Sequence, residues 1–160
     1  EGANGIQAMD LVGRKLSMDG GAAARAVIVE MKTTLASLGK FYTGKPVERF
    51  KTAIEAVEDA TLWLLDAKAD KDRGADVLAA ADAYLKLLGD VVGGWMLAKG
   101  ALAAKARLDA KDGDPAWLQG KVDLYEVYAA NVLGHVSSRL AAVGQGGDLL
   151  QRMSREALGA

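Results

Sequence analysis

Residues 77–102, VLAAADAYLKLLGDVVGGWMLAKGAL, place Val77, Ala81, Tyr84, Leu88, Val91, Trp95, Ala98 and Leu102 in alternating steps of four and three. That rhythm averages 3.5 residues, so these side chains line one face of an α-helix. A strand is excluded, because its faces alternate at every second residue. Gly93, Gly94 and Gly100 lie inside the same helix, where each costs roughly 1 kcal/mol against alanine. Their expected use is to let a neighbouring helix come close beside Trp95. The helix is predicted to stop at DAKDGDP.

The same rhythm extends in both directions. Asp114 followed by Pro115 is a start signal, a side-chain cap and then a residue with no amide to satisfy. The stripe behind it reads Leu118, Val122, Tyr125, Ala129, Val132, Val136 and Leu140. Upstream, Pro46 opens a helix whose inner positions are Val47, Phe50, Ile54, Val57, Thr61 and Leu64, closed by DAKADKDRGAD. Before that, Ala24, Ile28, Met31, Leu35 and Leu38 define a helix over residues 22–38, broken by GKFYTGKP. A short first helix is expected to bury Ile6, Met9, Val12 and Leu16, with Asn4-Gly5 as its cap and SMDGG as its end. A short last helix is expected around residues 148–158, after GQGG. Four such stripes joined by short connections predict an all-α fold, an up-down-up-down four-helix bundle with an extra short helix at each end. Residues 1–16, 22–143 and 144–160 are the expected units, the middle one being the bundle.

The totals set limits on function. The chain has 160 residues, 20 basic against 21 acidic, and no cysteine. A net charge of −1 without a basic cluster gives no attraction to nucleic acid. The missing thiols exclude disulfides, thiolate catalysis and cysteine-ligated metal. Charge-free runs such as VYAANVLGHVSS fall short of the ~20 residues that span a bilayer, and no basic-then-apolar leader opens the sequence. A soluble, cytoplasmic protein with no membrane span is expected.

Chemistry is sparse on the bundle. Glu-x-x-His pairs for a di-iron site are missing, and the single His135 cannot complete a zinc site, so no metal is expected. Ser137 and Ser138 neighbour His135 in mid-helix, without the strained turn a nucleophile needs. Trp63, Trp95 and Trp117 read as core packing or a buried interface, and the charge runs as solvated helix ends. At the other end, Glu1, Gly2 and Gly5 precede a helix whose free amides suit an approaching anion.

That opening stretch, EGANGIQAMDLVGRKL, resembles Glu-Gly-Thr-Asn-Gly-Ile-Gln near the end of the core fold of acyl-CoA dehydrogenases, FAD-dependent enzymes that desaturate acyl-CoA thioesters. GGWMLAKGALAAKARL, LYEVYAANVLGHVSSRL and GGDLL resemble the helical region that follows this core in one branch, which includes enzymes acting on sulfur-containing short acyl-CoAs. The two resemblances cover nearly all 160 residues. They imply the C-terminal portion of a larger flavoenzyme. Glu1 takes the position of the catalytic base, Gly2 that of the substrate contact, and Ala3, Asn4 and Gly5 those of the FAD contact. Ala3 stands where the family has threonine, so that contact loses a hydroxyl. The implied partners are acyl-CoA, electron-transfer flavoprotein and further copies in a homo-oligomer. The alternative is a non-catalytic helical interaction or oligomerisation module. Retention of the fold with decayed activity is a third reading.

Overall fold

A computed structural model describes residues 2–153 and 159 of the chain. Every regular element among the described residues is helical, with no strand among them, as the all-α reading predicts. Helix α1 (Gly2–Asp10) runs into one wide turn at Leu11–Lys15, closed by the Leu16 amide on Leu11 O at 2.8 Å. It is followed by α2 (Ala22–Leu38), α3 (Lys45–Ala69), α4 (Gly74–Ala79) and α5 (Ala81–Asp109). The remainder is α6 (Pro115–Asn131), α7 (Val136–Val143) and α8 (Asp148–Gln151).

Helices α3 and α5 form the centre. Phe50, Ile54, Val57 and Leu64 of α3 meet Tyr84, Leu87, Val91 and Ala98 of α5 in one continuous core, and Ile28, Met31 and Leu38 of α2 close one side. Ala8, Val12 and Leu16 join the same core. Tyr125, Ala129, Leu133 and Val136 close the other side. A smaller cluster of Ala104, Leu118 and Val122 ties the far end of α5 to the start of α6. The expected cap at Asp114 is present, its carboxylate accepting the Ala116 and Trp117 amides. Tyr125 reaches back from α6, its hydroxyl donating to Pro46 O at 2.9 Å in the first turn of α3.

Several boundaries differ from the sequence reading. The first helix begins at Gly2, so Asn4 and Gly5 lie within it and do not cap it. Ile6 and Met9 are 62% and 47% exposed, while Ala8 takes the inward position, where its small side chain lets α1 lie close to α5. The predicted fourth helix is divided at Ala80. Nothing in the alanine-rich Leu78–Ala81 forecasts this bend. The short α4 is held from outside, by the Gly147 amide on Asp76 at 2.6 Å and by Arg73 on the same carboxylate at 3.2 Å. The fifth helix is divided at Leu133–His135, which buries Leu133 where the continuous stripe would have buried Val132. Of the last predicted helix, Asp148–Gln151 is present, and residues 154–158 and 160 lie outside the described ones.

Two glycines act as the sequence suggests and one does not. A Cβ on Gly94 would stand 2.8 Å from Leu133, and a Cβ on Gly93 would stand 2.5 Å from the Tyr128 hydroxyl. Gly100 has no atom within 4 Å of that position. Helix α5 is also long and apolar enough, by length and composition, to cross a membrane. Here its inward residues are part of the protein core. Gly94→Leu should therefore lower unfolding free energy by about 2–3 kcal/mol through overpacking. Gly89→Ala, in the same helix with open space around it, should raise it by up to about 1 kcal/mol. Urea unfolding of the two variants checks both signs.

Candidate functional site

The first turn of α1 carries the residues expected to meet substrate and cofactor. Gly2 begins the helix, and Ala3, Asn4 and Gly5 are exposed along it. Glu1 lies outside the described residues. The amides of a helix's first turn have no partner within the helix, and no atom lies within 4 Å of where a Cβ on Gly5 would stand. The result is an open edge with backbone donors and small side chains. It encloses nothing.

A groove of about 300 Å³ opens beside the other end of this segment, between Leu11, Leu16, Ala24, Ile28 and Leu88. Thr61 and Tyr84 face it, their hydroxyls 2.8 Å apart in the core. Thr61 Oγ1 donates its single proton to Val57 O at 2.6 Å, so Tyr84 is the donor to Thr61. Both donors are thereby used inside the protein. Burial pushes the Tyr84 hydroxyl above its ordinary pKa. Lys15 is the charged residue lining the groove, and its ammonium pairs with Asp10 at 3.1 Å. The groove can hold an apolar group by burial. It has no acid or base aimed into it.

The carboxylates with shifted ionisation are unsuited to proton abstraction near neutrality. Hydrogen bonds from Arg14 and then Lys15 hold Asp10 down at about 2. The Gly147 amide, with Arg73 second, also lowers Asp76. His135 is exposed, and Ser138 donates to its backbone oxygen at 2.8 Å. No cluster of metal-ligating side chains occurs among the described residues. The tryptophans divide. Trp95 is buried with its indole N–H on Thr34 Oγ1 at 2.8 Å, and Trp63 is half-buried with Arg73 at 5.1 Å from its ring. Trp117 is 56% exposed, which corrects its reading as core packing.

A family model described as "Acetyl-CoA dehydrogenase C-terminal like" matches residues 27–154. A 3-methylmercaptopropionyl-CoA dehydrogenase of Ruegeria pomeroyi is similar over 153 residues at 35% identity. The chain belongs to the C-terminal helical region of the acyl-CoA dehydrogenase family. The match covers 94% of this chain and 25% of the relative, so the chain spans a quarter of that enzyme's length. The acyl-CoA dehydrogenase family model leaves out residues 1–26, and with them the Glu-Gly stretch.

The groove and its hydroxyl pair were missed by sequence reasoning. The available signal was Thr61, a polar residue in an otherwise apolar stripe, but its partner is 23 positions away. Thr61→Val should cost about 1–3 kcal/mol, because it strands the buried Tyr84 donor, whereas Tyr84→Phe should cost about 1 kcal/mol or less. The hydroxyl keeps its proton longer folded than unfolded. Its contribution is therefore complete below the unfolded value of about 10 and is lost as pH rises from there through the higher folded value. Unfolding free energies measured across that range should show a shallower alkaline decline in Tyr84→Phe.

Proposed function

We propose that this chain is the C-terminal part of an FAD-dependent acyl-CoA dehydrogenase, with Glu1 as the base that takes the α-proton of an acyl-CoA thioester. The observation behind this reading is the family membership together with the Glu-Gly-Ala-Asn-Gly opening, which retains the glutamate. On this reading Gly2 contacts substrate, and Ala3, Asn4 and Gly5 contact the flavin. Their open first turn suits a contact along one edge of the group, with the backbone amides as donors in place of the missing threonine hydroxyl. The flavin, when bound, accepts the hydride from the β-carbon.

The residues of this chain must do the rest. A solvated carboxylate is too weak a base for a proton beside a thioester, so Glu1 has to lose water when substrate binds, which raises its pKa towards neutrality. Enolate-like charge on the thioester oxygen needs hydrogen-bond donors held in place beforehand. The open edge of α1 supplies donors without walls, so polypeptide beyond this chain builds the enclosure. The 160-residue chain alone is accordingly inactive and free of flavin. The same reading makes residues 1–16 the end of the catalytic core's helical domain and residues 22–143 an up-down-up-down extension. It makes acyl-CoA, electron-transfer flavoprotein and further copies its partners, and the cytoplasm its location.

In the longer enzyme, Glu1→Gln should lower kcat by roughly 10²–10⁴-fold with KM little changed. Full turnover in that variant would remove Glu1 from the mechanism. The isolated chain should purify colourless; stoichiometric flavin absorbance would overturn its assignment as an incomplete site.

A second reading, an interaction module, is favoured by a separate observation. Helices α5 and α6 leave Met96, Trp117, Leu124 and Val127 exposed on one side of the molecule.

A further inference from the structure

We infer that the groove beside the end of α1 is a binding site for an aliphatic carboxylate, whose chain lies between the wide turn at Leu11–Lys15 and α2 and whose anionic head meets Lys15. The site is independent of the assignment of Glu1. Of the twelve residues that line the groove, nine are aliphatic, among them Leu11, Leu16, Ile28 and Leu88. Tyr84 is the one ring, and at 1% exposure it presents no face on which an aromatic ligand could stack. The floor asks for no polar donor or acceptor, because Thr61 and Tyr84 use both hydroxyl protons inside the protein. Walls of this kind reward the burial of methylenes, by at most about fourfold in affinity for each. A water-sized group takes about 30 Å³, so a groove of about 300 Å³ accommodates a chain of roughly ten carbons.

The path of the backbone holds the two walls apart. Between Leu16 and α2, Asp19, Gly20 and Gly21 follow one another at φ of 51°, 63° and 82°. Three left-handed residues in a row turn the chain sharply before α2 begins, in a conformation that glycine adopts readily and most other residues avoid. Gly21 is fixed there by its surroundings, since a Cβ on it would stand 2.7 Å from Leu65. A ligand therefore finds the groove already formed, and binding does not have to open it.

Charge decides which aliphatic ligand fits. Arg14 grips both oxygens of Asp10, at 2.7 and 2.8 Å, and Lys15 touches one of them at 3.1 Å. Arg14 is also the first cause, and Lys15 the second, of the lowered Asp10 pKa. One carboxylate against an arginine and a lysine leaves a positive charge in excess at the mouth. Of the three, Lys15 is the residue that lines the groove. Its ammonium is compact, half exposed and carries three donors, so it can serve a second carboxylate while keeping the first. Among the described residues no carboxylate lines the groove, that of Asp19 in the joining turn included. A neutral or cationic amphiphile would gain the same chain burial without the contact at Lys15.

The test is calorimetric titration of sodium decanoate into the 160-residue chain, whose helices share one continuous core. One decanoate should bind per chain, and octanoate should bind roughly tenfold more weakly. Ala24→Phe, which fills the groove from its α2 wall, should abolish binding with unchanged helical circular dichroism. Lys15→Gln changes an exposed side chain and so tests the site without altering its packing. It should weaken decanoate by about three- to fivefold and leave decanol unaffected, and Lys15→Glu should turn the preference to decylammonium. The longer enzyme should retain one equivalent of decanoate binding that Ala24→Phe removes. No binding to the wild-type chain, binding that survives Ala24→Phe, or equal affinity of Lys15→Gln and wild type would each overturn the site. Absence of that equivalent from the longer enzyme would also overturn it, because the groove would then be covered by the enzyme's own polypeptide. None of these outcomes bears on Glu1, which is read from turnover.

Discussion

Leu133 occupies the space that a side chain on Gly94 would take, and the arrangement of the C-terminal half depends on that contact. Because Gly94 has no Cβ, α6 can end with a large apolar residue pressed against the backbone of α5. The helix therefore breaks at Leu133–His135, and α7 starts afresh with Val136 buried against the same core. Tyr128 fixes the register one turn earlier, its ring over Gly93 and its hydroxyl on Asp90 O at 3.1 Å. Asp90 in turn holds Arg139 of α7 at 2.5 Å. One close approach thus sets the distance between α5 and α6, the place where α6 stops and the direction in which α7 leaves.

The helices were legible in the sequence because burial and periodicity agree along most of the chain. Residues 22–38 were read to the residue, since GG before and GK after punctuate a clean stripe. The Asp114-Pro115 start was read from cap chemistry that is local and so needs no tertiary knowledge. The errors have a common physical origin in tertiary override. At α1, Ile6 and Met9 are more hydrophobic than Ala8, yet the close approach of α5 rewards the smaller side chain. At Ala80, local propensity favours continuation, and Asp76 is held instead by Gly147, 71 positions away. Gly100 shows the opposite limit: composition flags a costly residue but cannot say whether the space beside it is filled.

The candidate site was legible only as a likeness. Spacing alone finds no acid, base or metal site on the bundle; in the structure Asp10 and Asp76 are held ionised by their partners, and the buried hydroxyls of Thr61 and Tyr84 satisfy one another and the backbone. Proton abstraction needs a base that is uncomfortable in its ionised form. That discomfort comes from the walls of a pocket, which periodicity does not encode and which an open first turn does not provide.

The two outer surfaces of the molecule differ in what they ask of their surroundings. The first turn of α1 offers unpaired amides, which water satisfies well until something displaces it. The outer face of α5 and α6 offers Trp117, Leu124 and Met96 with glycine between them, a surface that water satisfies poorly. Helices α1 to α7 each contribute apolar side chains to the core, and α6 carries a second apolar stripe, Trp117, Leu124 and Val127, on its exposed side.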